Sequence, residues 1–184
     1  MENDELKNYI QSCKEKLDVS IPELYEIFFF KIYVKFEVYL SQVFENYCIG
    51  LESGKGYCPE RKLQFSDKEH LRAILRGDKQ YMDYIKKIES LSRHIFEDNP
   101  FDLIFQVEDN VNVFNQMIAL RNYIAHESPE SKKRYVEKCL GNGEFIEPYE
   151  YLIKINRKKS KSNYTIFMEK IESISEMILE KPIV

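Results

Sequence analysis

The sequence predicts an all-α helical bundle. In most segments apolar residues recur every three to four positions, as on one face of a helix, and Ser, Pro or Gly stands where these patterns begin and end. Only one segment alternates as a strand would. With 43% apolar residues, six Gly and six Pro, the composition is that of an ordered protein and excludes a disordered one. The length of 184 residues fits one domain, residues 1–184, with a sizeable core.

Two helices are predicted near the beginning of the chain. Residues 3–18 have apolar positions on one face, and Ser20 with Pro22 then begins a long helix that runs to about Tyr47. The apolar residues of this second helix cover more than one side. Such a helix is central in a bundle or is shared between its own core and a partner, so we expect one of these two arrangements.

Capping residues and helix breakers divide the middle of the chain. Residues 50–64 contain several Gly and are predicted as a loop. The capping-box pattern Ser66-Asp-Lys-Glu69 then begins a short helix that ends at Arg76. A further helix is predicted over residues 78–96, before Asn99-Pro100 interrupts the chain.

The second half contains three more predicted helices and one exception to the helical pattern. A helix over residues 107–127 is stopped by Ser128-Pro129, because the residue before a proline is pushed out of the helical region. The same pair begins a helix that runs to Leu140. Residues 144–157 alternate loosely and predict a small β-hairpin or an extended arm. Asn163 is expected to cap the last helix.

The end of the helix over residues 107–127 carries the clearest chemical signal. Arg121 and His126 place a rigid, phosphate-binding guanidinium near an imidazole that can exchange protons at neutral pH. This combination suits in-line chemistry on a phosphodiester. On an ideal helix the two positions are about 140° apart, so we expect a loosened last turn to bring them together. Asn122 does share a face with His126 and is expected to hydrogen-bond the imidazole and set its tautomer.

The stretch Leu120-Arg-Asn-Tyr-Ile-Ala-His126 closely resembles the signature of HEPN-domain ribonucleases, in which a polar residue follows the Arg and which often reads RNxxAH. The resemblance is strong over residues 107–129. Elsewhere it depends on helical pattern and size, which are most similar to the stand-alone RiboL-PSP and MAE-type branches. It implies an HEPN-like helical bundle and a metal-independent endoribonuclease that leaves 2′,3′-cyclic phosphate and 5′-hydroxyl ends.

The resemblance also implies roles for the two residues and a set of partners. His126 would act as general base or acid, and Arg121 would hold the scissile phosphate and stabilise the charge that develops on it. Because one His cannot easily serve both the attacking and the leaving oxygen, we expect a homodimer with a composite active site. The substrate would be RNA, no cofactor or metal is expected, and the protein would be a toxin or anti-phage effector, with an antitoxin as a potential partner.

A second hypothesis treats the same residues as structural. Arg121 would pair with an acid such as Glu37 or Glu127, while His126 would simply end its helix. Glu37 lies within an apolar helix and is expected to neutralise a basic partner. Tyr123 could stack on a base, although packing in the core is the simpler expectation. The chain would then be a non-catalytic, dimeric HEPN interaction module that binds a protein or a nucleotide.

The net charge and the cysteine pattern indicate which partners and which location to expect. The net charge of −4 provides no global attraction for RNA, so RNA would have to contact local clusters such as Lys132-Lys-Arg134 and Arg157-Lys-Lys-Ser-Lys161. Each cluster taken alone is expected to be solvated surface charge.

The cysteines form no CxxC pair and are expected to be free thiols. The acidic start of the chain lacks a signal segment, and no uncharged run is long enough for a bilayer. We therefore expect a soluble, cytoplasmic protein.

Overall fold

A computed structural model, which describes residues 2–18, 20–76 and 83–181, contains nine α-helices and one two-stranded antiparallel hairpin within those ranges. The fold class is therefore all-α with a small β appendage, as predicted. The elements are α1 (Asp4–Lys16), α2 (Glu23–Cys48), α3 (Lys68–Arg76), α4 (Tyr84–Ile95), α5 (Asp102–Phe105), α6 (Glu108–His126), α7 (Pro129–Leu140), α8 (Pro148–Ile153), β1 (Ile155–Asn156), β2 (Lys161–Ser162) and α9 (Asn163–Met177).

Helix α2 is the centre of the bundle. It packs against α1, α3, α4, α6, α8 and α9. Its buried side chains lie on several sides of the helix, which is why the sequence shows no single apolar stripe. Among the helices that the structure describes, none is both long and apolar enough to span a bilayer. The largest fully buried side chains of α2 are aromatic: Phe29, Tyr33, Phe36, Phe44 and Tyr47.

The carboxyl end of α9 is held by hydroxyl groups from α2. The last carbonyls of a helix have no partner within it, and here they accept hydrogen bonds from tyrosines of the central helix. The hydroxyl of Tyr39 donates to the Ser175 carbonyl at 2.8 Å, and that of Tyr47 donates to the Ile178 carbonyl at 2.8 Å. Two aromatic side chains of the core thereby also fix the end of the last helix.

Helix boundaries in the middle of the chain differ from the predictions by a few residues. The predicted capping box beginning at Ser66 is wrong by one position, because Asp67 accepts the N–H of His70 at 2.8 Å. Asp83 caps α4 by accepting the N–H of Lys86 at 3.2 Å, whereas the sequence predicts a helix beginning at residue 78. Residues 77–82 lie outside the described residues. The short helix α5 has no counterpart among the predictions.

Helices α6 and α7 form a helical hairpin with a two-residue connection. Glu127 ends α6 in the left-handed conformation, with φ of 45°. Ser128 then caps α7 by accepting the N–H of Ser131 at 3.2 Å, and Pro129 occupies the first helical position. Both boundaries agree with the prediction. The hairpin is antiparallel, since the thiol of Cys139 near its open end lies 3.4 Å from the Gln116 carbonyl.

The β-hairpin lies later in the chain than predicted. The sequence predicts a hairpin or arm over residues 144–157, but the middle of that segment is helix α8. Pro148 occupies its first turn, and the Glu150 carboxylate accepts the N–H of Glu147 at 3.0 Å, so local capping outweighs the loose alternation. The two strands follow α8, with Ile155 opposite Ser162.

Candidate functional site

Arg121 lies on α6 where this helix packs against α2. Its guanidinium Nη2 donates to Glu37 Oε2 at 3.0 Å, and its Nη1 donates to Asn122 Oδ1 at 2.9 Å. Both members of the ion pair are partly buried. The structure thus brings Arg121, Asn122 and Glu37 together, and it selects Glu37 over Glu127 as the acid that pairs with the arginine.

The Glu37 carboxyl holds its proton more tightly than an exposed glutamate does. Burial raises its pKa most, Asp83 adds to the increase, and the charge and hydrogen bond of Arg121 oppose it without cancelling it. Beneath this pair lies Tyr33, whose fully buried hydroxyl has no hydrogen-bond partner among the described residues. Burial, and then the nearby Glu37 charge, raise the pKa of Tyr33. The ion pair therefore lies in a poorly solvated environment.

An open cavity of about 400 Å³ adjoins the ion pair. Arg121, Glu37, Ser41 and Tyr84 contribute polar groups to its wall. The Nε atom of Arg121 is buried and has no partner among the residues that the structure describes. Buried N–H groups are nearly always hydrogen-bonded, so this one is an exception within the described part of the chain.

His126 is exposed at the end of α6, and its ring makes no hydrogen bond with the described part of the chain. The predicted loosened turn is wrong: α6 remains helical through His126, and the Glu127 N–H bonds to the Tyr123 carbonyl at 2.9 Å. The predicted bond from Asn122 to the imidazole is also absent, because Asn122 Oδ1 accepts from Arg121 instead. Arg121 and His126 therefore remain on different sides of one helix.

Tyr123 is packed rather than free to receive a base. Its ring is parallel to that of Tyr135, with centroids 5.2 Å apart, and meets the edge of Phe145 at 5.8 Å. The ammonium of Lys132 lies 3.9 Å from the centroid of the Phe145 ring. These contacts tie α6, α7 and the segment after α7 into one aromatic cluster.

The surroundings of Tyr123 are acidic. Burial raises the pKa of Glu26, and the charges of Glu147 and Glu127 raise it further. Burial and the same three carboxylates raise the pKa of Tyr123. The sequence gives no signal of this group, because its members come from α2, from the α6–α7 connection and from the segment before α8. A negative field beside the motif disfavours a polyanion there.

A second polar cluster on α2 is absent from the predictions. Arg72 of α3 donates hydrogen bonds to both oxygens of the Glu45 carboxylate, from Nε to Oε1 and from Nη2 to Oε2, each at 2.7 Å. The Tyr84 hydroxyl of α4 also donates to Glu45. The sequence does contain a sign of this cluster: polar residues recur every four positions at 37, 41 and 45, and so lie on one side of the helix.

Metal-ligating groups are not clustered in the described ranges: no set of three or more His, Cys, Asp and Glu side chains there could hold a metal ion. All four cysteines are free, and Cys13 and Cys48 are buried. Comparisons with protein-family models, with curated proteins and with solved structures give no match to this chain.

Proposed function

We propose that this chain is a metal-independent, HEPN-type endoribonuclease that acts in the cytoplasm as a homodimer. The observation that carries the proposal is the end of α6. There Arg121, whose buried Nε has no partner among the described residues, lines an open cavity, and the exposed His126 lies five positions further on. The resemblance of residues 120–126 to the HEPN signature supports the same reaction.

The proposed reaction is transesterification within RNA. The ribose 2′-oxygen attacks the adjacent phosphorus, the bond to the 5′-oxygen breaks, and a 2′,3′-cyclic phosphate and a 5′-hydroxyl result. One His126 accepts the proton of the 2′-hydroxyl, and a second histidine donates a proton to the departing 5′-oxygen. A positioned general acid or base of this kind contributes about 10²–10⁴ in rate. Arg121 binds the phosphate oxygens while their charge increases.

The geometry within one chain favours a site shared between two chains. Arg121 and His126 diverge by about 140° around α6, and the last turn is regular. His126 is exposed and able to face a second molecule. Val38, 50% exposed, lines the same cavity as Arg121. A second copy that covers Val38 would place its own residues beside the arginine, as a composite site requires.

The deciding experiment incubates the full-length protein with total RNA in EDTA. Wild type is expected to cleave, a 2′-deoxy linkage to resist cleavage, and Arg121→Ala and His126→Ala to cleave far more slowly than the wild type. His94→Ala is the matched control, because His94 is also an exposed histidine in the last turn of a helix, α4. RNA left intact by the wild type, or cut equally by His126→Ala, would overturn the proposal. A monomer in light scattering at micromolar concentration would overturn the composite site.

Cellular toxicity gives a second test. As a growth-arresting toxin or anti-phage effector, restrained by an antitoxin, the wild type should reduce colony formation on expression, and His126→Ala should relieve this effect. Equal growth with both would contradict the toxin role.

One observation favours a non-catalytic, dimeric interaction module instead. The Arg121 guanidinium already binds Glu37 and Asn122, as a structural arginine would. In that case wild type and His126→Ala leave RNA equally intact, while both bind the same protein or nucleotide.

A further inference from the structure

A groove of about 900 Å³ lies at the opposite end of the α6–α7 hairpin from His126. The end of α7, the segment leading to α8, and the beginning of the β-hairpin form its walls. We call this cavity the hairpin groove. The residues that line it include Lys154, Arg157, Lys158, Leu140, Ile146 and Ile155. None of the residues predicted for the catalytic site belongs to it.

The cations of the hairpin groove have no acidic partners among the residues that the structure describes. Within the described residues, neither Lys154, Arg157 nor Lys158 forms a salt bridge. Lys161 on β2 contrasts with them, since it pairs with Glu169 at 2.6 Å. One carboxylate, that of Glu144, also lines the groove. The wall of the groove is thus locally positive, although the net charge of the chain is −4. An anion is therefore attracted to the groove more than to the rest of the surface.

The backbone holds these cations in a defined turn. Asn156 Oδ1 accepts the N–H groups of Lys158 at 3.1 Å and Lys159 at 3.3 Å. Ser160 takes the left-handed conformation, with φ of 53°, and completes the turn between the strands. The Asn163 N–H binds the Lys154 carbonyl at 3.1 Å, which ties the hairpin to the start of α9. A preorganised turn lowers the entropy lost when a ligand binds.

The groove also has an apolar wall. Leu140, Ile146 and Ile155 line it, and Ile155 is 58% exposed. Cations beside an accessible apolar surface suit a ligand with a charged backbone and flat apolar faces, which is the chemistry of single-stranded nucleic acid.

The groove and the motif lie along the same helix, α6. Gln116 lines the groove and lies ten residues before His126 on the same helix, which is about 15 Å along its axis. Between them Phe145, whose two neighbours in sequence line the groove, packs against Tyr123. One extended strand can therefore contact both places.

We propose that the hairpin groove binds the phosphate backbone of single-stranded RNA and holds the substrate for the motif at the other end of α6. The proposal rests on the proposed function, and it accounts for how RNA is retained by a protein whose motif has acidic surroundings. The cations supply the attraction that the residues around Tyr123 lack.

The test measures binding of the full-length chain to a fluorescein-labelled single-stranded RNA with methylated 2′-hydroxyls, which prevents cleavage. Fluorescence anisotropy is recorded against salt for wild type and for Arg157→Ala/Lys158→Ala. On a single strand each phosphate contact adds about 0.7 to the slope of log K against log salt, so losing two contacts lowers the slope by about 1.4 and weakens binding roughly 25-fold at about 0.1 M salt.

Lys16→Ala/Lys31→Ala is the matched control. Both lysines are exposed, lie on α1 and α2 away from the groove, and form no salt bridge within the described residues. This variant loses the same charge and should bind RNA like the wild type. Equal weakening in both double variants, no binding by the wild type, or competition by polyglutamate as strong as that by RNA would overturn the proposal. The last result would assign the groove to an acidic polypeptide.

Cleavage of ordinary RNA separates this proposal from the nuclease proposal. If binding depends on the groove but no variant cleaves, the nuclease proposal fails and the groove stands. If the wild type cleaves and Arg157→Ala/Lys158→Ala binds and cleaves equally well, the groove fails and the nuclease stands.

Discussion

Two glutamate–arginine pairs on the same face of α2 differ in almost every respect that matters for chemistry. Glu45 is nearly inaccessible, with 4% of its side chain exposed, and it receives two hydrogen bonds from Arg72 and one from Tyr84. Glu37, with 26% exposed, receives a single hydrogen bond from Arg121, which keeps a buried N–H without a partner among the described residues.

The difference shows in the pKa values of the two carboxyls. Burial raises the pKa of Glu45, but the hydrogen bonds from Arg72 and Tyr84 and the charge of Arg72 outweigh it, so the pKa is lowered. At Glu37 burial prevails and the pKa is raised. The number and geometry of hydrogen bonds to the charged form, more than the presence of an arginine, therefore decide the direction. The first pair joins three helices, α2, α3 and α4, while the second joins two, α2 and α6.

The largest expected effect separates the two arginines by activity. Arg121→Ala should reduce RNA cleavage about 10²–10³-fold, because the donor that stabilises the developing charge is lost. Arg72→Ala should retain cleavage per folded molecule, since among the described residues its guanidinium bonds to Glu45 and Tyr84 and does not line the cavity beside Arg121. Single-turnover cleavage normalised to the folded fraction, measured by circular dichroism, makes the comparison. Equal activity of the two variants would remove the functional distinction between the pairs.

The next effect concerns stability. Glu45→Gln should lower the free energy of unfolding by about 2–3 kcal/mol, because hydrogen bonds to a buried carboxylate from two helices are weakened. Because 54% of the Arg72 side chain is exposed, solvent screens its charge and limits the loss of stability. Urea denaturation followed by circular dichroism measures it. Glu89→Gln, at an exposed position of α4, is the control and should change little.

Glu37→Gln should have a smaller effect, within about 1 kcal/mol of the wild type. Removing a carboxylate that is costly to desolvate offsets the loss of one ion pair. The same urea titration applies. A loss as large as that of Glu45→Gln would show that both pairs serve mainly to hold the bundle together.

The smallest effect is on the pH dependence of stability. Because Glu45 has a lowered pKa, its contribution is present above the ordinary value of 4.5 and is lost as the pH falls through the folded value. Because Glu37 has a raised pKa, it favours folding below 4.5, and that contribution is lost as the pH rises through its higher folded value.

Glu45→Gln should therefore flatten the loss of stability in acid, and Glu37→Gln should flatten the decline above pH 4.5. Unfolding midpoints across a pH series test both. Identical pH profiles of stability for the two variants would show that Glu37 and Glu45 titrate alike in the wild type, which would contradict the opposite directions of their pKa shifts.

The amino-acid sequence alone was sufficient for features whose cause is local. Ser128 and Pro129 separate α6 from α7 because one caps a helix and the other occupies a first turn. The apolar residues on several sides of α2 predicted a helix that is either central in the bundle or shared with a partner, and the contacts of α2 with six other helices show that it is central. The sequence also placed Arg121 and His126 at the end of α6. The β-hairpin was predicted too early in the chain. Residues 144–157 alternate only loosely between apolar and polar positions, and the helix caps at Glu147 and Pro148 outweigh that pattern.

Only the tertiary structure decided what those residues contact. Glu37 and Arg121 are 84 positions apart, so packing of α2 on α6 determined which acid pairs with the arginine. The same packing left Arg121 Nε without a partner in the part of the chain that the structure describes, and it placed carboxylates from three segments around Tyr123. Caps and helical periodicity are properties of neighbouring residues, whereas burial, desolvation and ion pairing depend on which distant segments meet.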